Sequence, residues 1–232
     1  MTSARQIYLV SRRGPALPYD AEVEYIESAG TQWIDTGVRS LNAIDYELVF
    51  ALVSPVTGAG IFGALVQDTE NTANRIVAIQ RQRIISVQRG DFSTVRNVRL
   101  DYNWHTIFSS AQMIAIDNTQ FSGQSCSDSS ATMAICGSGG AGGAVALSSL
   151  RVSHVRMRNS GDVVRDMIPV RYTNDQGQSE VAMYDRVSGQ LFRNAGTGVF
   201  GFGTDIAGGG YKWLGYSPWR FSRFSRLWKE AA

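Results

Sequence analysis

The sequence predicts an all-β fold, an antiparallel sandwich or barrel, and three observations lead to that prediction. Between residues 21 and 206, short runs rich in Val, Ile, Thr, Phe and Tyr are separated by Gly, Asn, Asp and Ser. Several of these runs alternate polar and apolar residues, which is typical of half-buried strands. No sustained helical period of 3.6 residues interrupts them. Many short strands joined by turns are the pattern of sandwiches and barrels.

Five runs have the length of a strand and stand between turn-forming residues. They are residues 47–53, 75–79, 83–87, 113–116 and 150–157. The glycine-rich run 137–144 is predicted to be a loop between strands. It does not fit a phosphate-binding loop, because no Lys-Ser or Lys-Thr pair follows it.

Composition narrows the class of protein. The chain has 232 residues, of which 44% are hydrophobic and 18% charged. The apolar content can fill a core and argues against disorder, and the low charged fraction argues against a long coiled coil. Two cysteines are too few for a disulfide-rich scaffold or a four-thiolate zinc site. We expect Cys126 and Cys136 to be buried free thiols, with a single bridge between them as the alternative.

Three zones are predicted along the chain. Residues 1–20 form an N-terminal arm, residues 21–206 form the β domain, and residues 207–232 form a tail. The first 17 residues hold no continuous apolar stretch of the length that a signal peptide needs, and Arg12 and Arg13 interrupt them. We therefore expect no signal peptide and no membrane span, and synthesis in the cytoplasm.

The tail begins with three glycines, 208–210, which predict a hinge. Ser217 and Pro218 are typical of a helix start, and residues 218–230 are predicted to form a short amphipathic, basic helix. We interpret this helix as a docking element for another protein; membrane-surface and nucleic-acid binding are the less favoured alternatives. The predicted docking residues are Trp219, Arg220, Phe221, Arg223, Phe224, Arg226 and Trp228.

Two segments resemble a known group of proteins. Residues 21–38 read AEVEYIESAGTQWIDTGV and resemble the EYIESTGTQYIDTGV opening of many tailed-phage and prophage structural proteins. Residues 164–171 and 181–198 read VRDMIPVR and VAMYDRVSGQLFRNAGTG, and resemble the closing segment of the same proteins. Together these segments bracket residues 21–206.

The resemblance implies a concanavalin A-like (laminin-G-like) jelly roll, with two packed antiparallel sheets. Residues 103–107 and 114–118 look like the central hairpin of laminin-G-like domains, in which Asp117 and Asn118 would form a tight turn with positive φ. The turn-like motifs 185–189 and 194–198 are interpreted mainly as folding elements.

The resemblance also implies a function. We expect a non-enzymatic virion protein of a tail tip, tail fibre, baseplate, head fibre or head decoration. Its partners would be other virion proteins, further copies of itself, and glycans of the host or mucosal surface, with no nucleic acid, membrane, metal or cofactor. The alternatives are a glycan-active hydrolase of the same fold, and an assembly protein without a ligand.

Few residues fit a catalytic or metal site. The run Glu22-Val23-Glu24-Tyr25-Ile26-Glu27 matches the acidic pattern of laminarinase-type glucanases, but it opens the domain, and we interpret it as a solvated strand face. His105 and His154 show no metal-ligand spacing. His105 is expected to pack beside Trp104 at a strand start. Turn roles are predicted for Asp35, Asp117 and Asp166, since no calcium-loop pattern surrounds them.

Aromatic side chains are the candidates for sugar binding. Sugars stack on aromatic faces and bond to polar neighbours, and Trp33, Tyr102 and Trp104 are the residues proposed for this role. The alternative is that these three belong to the core or its rim.

The charge is distributed unevenly. The formal net charge of the whole chain is +2. By zone it is +2 for residues 1–20, −4 for 21–206 and +4 for 207–232. The sequence therefore predicts a mildly acidic sandwich between two basic arms, which would engage an acidic neighbour.

Overall fold

The computed structural model describes residues 17–54, 58–64, 73–79, 84–90, 96–140 and 143–206, and these residues form two β-sheets. No helix occurs among them, and none of the described elements could cross a membrane as a helix. The predicted N-terminal arm up to residue 16, and the predicted hinge and docking helix from residue 207 onward, lie outside the described residues.

The first sheet has the strand order β11-β10-β9-β4-β15-β16-β17-β18, with three shorter strands pairing along it. Its strands are β1 (Ala21–Glu22), β2 (Ile26–Ala29), β4 (Ile44–Ser54), β9 (Trp104–Ser109), β10 (Met113–Ile116), β11 (Thr119–Ser122), β15 (Ser149–Asn159), β16 (Asp162–Thr173), β17 (Ser179–Asp185), β18 (Gln190–Phe192) and β19 (Gly201–Phe202). All of its pairings are antiparallel.

The second sheet has the order β14-β13-β5-β6-β7-β8, and β12 joins it to β3. Its strands are β3 (Ile34–Arg39), β5 (Ala59–Ala64), β6 (Ala73–Ile79), β7 (Ile84–Gly90), β8 (Arg96–Arg99), β12 (Thr132–Ile135), β13 (Ser138–Gly140) and β14 (Gly143–Val145). Every described pairing is antiparallel except the short contact of β13 with β5.

The two sheets share one hydrophobic core. Side chains from both sheets, including Leu48 and Val155 of the first and Ile85 and Ile135 of the second, belong to a single buried cluster. The rings of Tyr46 and Phe62 meet across it, with centroids 4.8 Å apart. Alternation along the strands places the apolar residues on this side, so the prediction of an antiparallel all-β fold is confirmed.

Each of the five predicted strands is confirmed and lies within, or overlaps, β4, β6, β7, β10 or β15. Cys126 and Cys136 are buried and free, as expected. The turn predicted at residues 185–189 is also present, and Gly189 adopts the positive φ (72°) that it requires.

The prediction of a loop at residues 137–144 is wrong, because this run contains the short strands β13 and β14. Glycine is what permits them. A Cβ on Gly139 would overlap the carbonyl oxygen of Thr132, and one on Gly60 would overlap Ser138. Close approach of neighbouring backbones therefore selects glycine here, and composition alone resembles a linker.

The turn between β10 and β11 follows the expectation. Ile116 pairs with Thr119, so Asp117 and Asn118 form a two-residue connection. Asp117 has φ of 51°, the left-handed conformation that Asp tolerates better than most residues.

The two ends of the described sandwich run side by side. β19 pairs with β2, and Val23 forms a bridge with Asp205. The backbone N–H of Ile206 donates to the carbonyl of Glu22 at 2.8 Å. Residues 22–27 and 201–206 of the described sandwich therefore lie side by side.

An arginine fastens both ends to the body of the first sheet. The Arg171 guanidinium bonds the Asp205 carboxylate at 2.6 Å and lies 3.8 Å from that of Asp20. Tyr19 packs against Tyr184 with ring centroids 4.9 Å apart. Contact with the sandwich thus includes Tyr19, two residues before the predicted domain boundary.

Candidate functional site

A row of paired residues crosses the face of the first sheet that points away from the core. Trp104 of β9 pairs with Ala51 of β4, Ala51 with Arg151 of β15, and Arg151 with Glu27 of β2. Their chain neighbours on the other face, such as Phe50, are buried in the core. The row spans three strand spacings, roughly 14 Å.

Tyr25 lies over the middle of this row. Its ring is 5.8 Å from the ring of Trp104, centroid to centroid, and the guanidinium carbon of Arg151 lies 4.8 Å from its centroid. Ala51, which separates Trp104 from Arg151 in the row, is only 3% exposed. Because alanine is small, the tyrosine ring fits between the indole and the guanidinium. We call Tyr25, Glu27, Trp104 and Arg151 the aromatic strip.

A salt bridge ends the aromatic strip. The Arg151 Nε donates to Glu27 Oε2 at 2.6 Å, and both side chains are partly exposed. This bond raises the pKa of Arg151. The strip thus offers two tilted aromatic faces beside a fixed hydrogen-bond donor and a fixed acceptor. Stacking of an apolar ligand face with polar contacts at its edge is the chemistry that this arrangement can perform.

The three aromatic residues predicted for sugar binding do not form one site. Trp104 is part of the aromatic strip. Tyr102 is 53% exposed in the β8–β9 connection. Trp33 lies at the start of β3, where Gly196 and Gly143 face its ring and Asn194 accepts a hydrogen bond from its backbone. Trp33 adjoins β3 of the second sheet, whereas Trp104 lies in β9 of the first sheet.

Tyr25, Glu27 and Arg151 were missed as ligand-binding candidates. Tyr25 and Glu27 are two apart and so lie on the same side of a strand, a signal that the sequence contains. Arg151 stands more than 120 positions away from them along the chain, and no local pattern links it to them. The predicted docking residues of the tail lie outside the described residues.

A second polar group surrounds His105. Its Nδ1 is 2.7 Å from Asp117 Oδ2, and its Nε2 is 3.1 Å from Asp101 Oδ1. Burial opposes protonation of the imidazole, but the hydrogen bonds and charges of Asp117 and Asp101 outweigh it and raise the pKa of His105. The expected position at a strand start is confirmed, and the two carboxylates add a link between the loops before β9 and after β10.

The His105 group borders an open cleft of about 490 Å³, but its carboxylate oxygens are already occupied. Asp117 Oδ1 accepts from the Thr106 N–H at 2.9 Å, and Asp101 accepts from the backbone and side chain of Asn103, both at 2.7 Å. Among the described residues no group of three or more His, Cys, Asp or Glu side chains could hold a metal ion. The His105 group is therefore built to fix loops.

A third polar group lies on the outer face around Asp166. His154 Nε2 is 2.7 Å from Asp166 Oδ1, and Arg186 bonds Oδ2 at 2.8 Å. Burial alone would raise the pKa of Asp166, but the hydrogen bond from His154 and the charges of the arginines hold it well below the usual range. Burial lowers the pKa of His154. A neutral histidine therefore donates to an ionised aspartate.

The turn role predicted for Asp166 is wrong, because this residue lies inside β16 and pairs with Arg156 of β15. The sequence did not indicate a strand position, because Asp is uncommon in strands that are paired on both sides. Asp35 also lies in a strand, β3, where its side chain accepts from the Gly37 N–H at 2.9 Å. Asp117 has the turn role that was predicted.

Glu47 is a second acid of this face with a perturbed pKa. It lies between Phe108 and Arg156 in a row that continues to Asp166. Burial raises the pKa of Glu47 to about 7, against the opposing charges of the neighbouring arginines. Two carboxyl groups whose pKa values are shifted in opposite directions are typical of acid–base sites. Here, however, Arg156 stands between them and both oxygens of Asp166 are bonded.

The acidic run at the start of the domain is engaged in local contacts. Tyr19 donates to Glu22 Oε1 at 3.2 Å, and the Thr204 N–H donates to Glu24 Oε2 at 3.2 Å. Glu27 bonds Arg151. Each carboxylate thus serves a different neighbour, which favours a structural interpretation.

Comparisons with family models, with curated proteins and with solved structures give no match to this chain.

Proposed function

We propose that this chain is a non-enzymatic structural protein of a tailed-phage virion, which displays a concanavalin A-like jelly roll and binds glycans through the aromatic strip. The proposal takes the virion and the jelly roll from the resemblance of residues 21–38 and 164–198 to phage structural proteins. The observation that supports glycan binding is the juxtaposition of Trp104, Tyr25 and Arg151 on the outer face of the first sheet.

The binding mechanism follows from the chemistry of the strip. The C–H face of a sugar ring stacks on the indole and phenol rings, which are only partly buried. Glu27 accepts hydrogen bonds from sugar hydroxyls, and Arg151 donates them. Such a site is shallow and weak by itself. Repetition on a symmetric particle raises the apparent affinity without new contacts.

The path of the chain supports attachment through the arms. Residues 22 and 206 are hydrogen-bonded to each other, so both basic arms begin at one edge of the sandwich. One acidic partner surface on the particle, another virion protein or a further copy, could then hold both arms. Charge complementarity favours such a contact because the arms are basic and the sandwich is acidic.

A glycan array tests whether the chain binds glycans. We expect the full-length chain, presented multivalently, to bind a subset of glycans and Trp104→Ala to lose that binding. Trp33→Ala is the matched control, since it removes an indole in contact with a different part of the sandwich. Thermal melts of all three proteins show whether folding is retained.

Two results would overturn parts of the proposal. Absence of glycan binding by a particle-like multivalent form leaves the assembly protein as the better explanation. Release of free sugar from a bound glycan, abolished by Glu24→Gln or Glu47→Gln, would instead show a hydrolase.

A further inference from the structure

The charges of the aromatic strip point to the class of glycan, an inference that rests on the proposed function. Arg151 is the one cation of the strip, and Glu27 neutralises it through the 2.6 Å bond to Nε. Glu24 adds a further carboxylate beside Tyr25, and Gly203 packs against both residues. Glu24, Glu27 and Arg151 together therefore carry a net negative charge.

The geometry of Arg151 also limits what it can bind. Recognition of a carboxylate or sulfate uses two parallel N–H groups of one guanidinium edge. The edge that contains Nε is occupied by Glu27, and one face of the guanidinium lies on the Tyr25 ring. The Nη1–Nη2 edge remains open, but an anion bound there would lie close to the Glu27 carboxylate, which already compensates the charge of Arg151.

Uncharged sugars meet no such obstacle. Their hydroxyl groups can donate to Glu27 and accept from the remaining N–H groups of Arg151 without breaking the salt bridge. Their C–H faces suit the two rings, which stand at 51° to each other. A length of roughly 14 Å between Trp104 and Glu27 accommodates more than one ring.

We infer that the aromatic strip selects neutral saccharides of at least two units and discriminates against sialylated, uronic and sulfated ones. Selectivity arises from repulsion by Glu27 and Glu24 and from the occupied edge of Arg151. Glu27 is accordingly a specificity-determining residue.

The test compares matched probes on the full-length chain. Polymers that carry lactose or N-acetyllactosamine are compared with the same polymers in sialylated and sulfated form. We expect the neutral probes to bind about tenfold more tightly, or better. Glu27→Gln removes the negative charge and frees Arg151, so it should reduce this preference and improve binding of the sialylated probe.

Asp162→Asn is the control for charge. Asp162 is exposed at the start of β16, opposite Asn159, which lies eight residues along β15 from Arg151, and its substitution changes the net charge equally. It should leave the preference unchanged.

The outcomes separate the two proposals. Equal or tighter binding of sialylated or sulfated probes, lost in Trp104→Ala, would overturn the neutral preference and leave glycan binding in place. An unchanged preference in Glu27→Gln would also overturn the assigned role of Glu27. Absence of binding to every probe would reject glycan binding itself.

Discussion

At the scale of single residues, the two histidines of this protein have opposite electrostatic settings. His105 lies between two carboxylates that raise its pKa, whereas burial lowers the pKa of His154. A group with a raised pKa stabilises the fold below its unfolded value, here 6.5, and loses that effect as pH rises through the folded pKa. A histidine with a lowered pKa destabilises the fold as pH falls below 6.5.

His105→Gln should therefore cost more stability at pH 5.5 than at pH 9, with a loss of about 2 kcal/mol at the lower pH from two charge-assisted hydrogen bonds. His154→Gln should show the reverse trend with pH. Urea denaturation at both pH values measures the difference. Parallel trends in the two variants would show that the carboxylates do not control His105.

Glu47 provides a second residue-scale prediction. Its pKa is raised to about 7, so the protonated form stabilises the fold below the unfolded value of 4.5, and this effect is lost as pH rises through about 7. Glu47→Gln mimics the protonated form. It should stabilise the protein by about 1–2 kcal/mol at pH 8 and have little effect at pH 4.5. Asp162→Asn, at an exposed site, should change stability little at either pH.

At the scale of strands and turns, glycine has two different roles. Gly139 is required because a Cβ there would overlap the Thr132 carbonyl, whereas Gly161 has open space around it but a φ of 92°. Gly139→Ala should cost about 3 kcal/mol through steric overlap with backbone. Gly161→Ala should cost about 1 kcal/mol through backbone strain alone. Chemical denaturation checks the order, and equal losses would contradict the packing explanation.

The strands were predictable where alternation is local. Residues 150–157 alternate polar and apolar residues, and β15 follows the same pattern. β13 and β14 were not predictable from side-chain character. They form because glycine lets neighbouring backbones approach closely. The aromatic strip was only half predictable. Trp104 stands out in the sequence, but its neighbours Tyr25 and Arg151 come together through the pairing of β2 with β15.

At the scale of the whole molecule, the division into an acidic sandwich and two basic arms suggests a separation of tasks. We expect the triple variant Arg220→Ser, Arg223→Ser, Arg226→Ser to be excluded from particles while its melting temperature and glycan binding are unchanged. The corresponding triple Lys variant keeps the charge and is the matched control. Immunoblots of purified particles measure incorporation, and normal incorporation of the Ser variant would reject docking through these arginines.

The side-by-side ends of the sandwich have a mechanical consequence. In the proposed role, a virion held to a surface by such domains would transmit drag through the anchored ends of each domain. Because residues 22 and 206 are hydrogen-bonded to each other, a force applied through both arms is divided between two segments, and Arg171 of β16 holds Asp20 and Asp205 at their ends. A pull on one end alone would place the whole load on one segment. Two tethered ends should thus withstand a larger force than one.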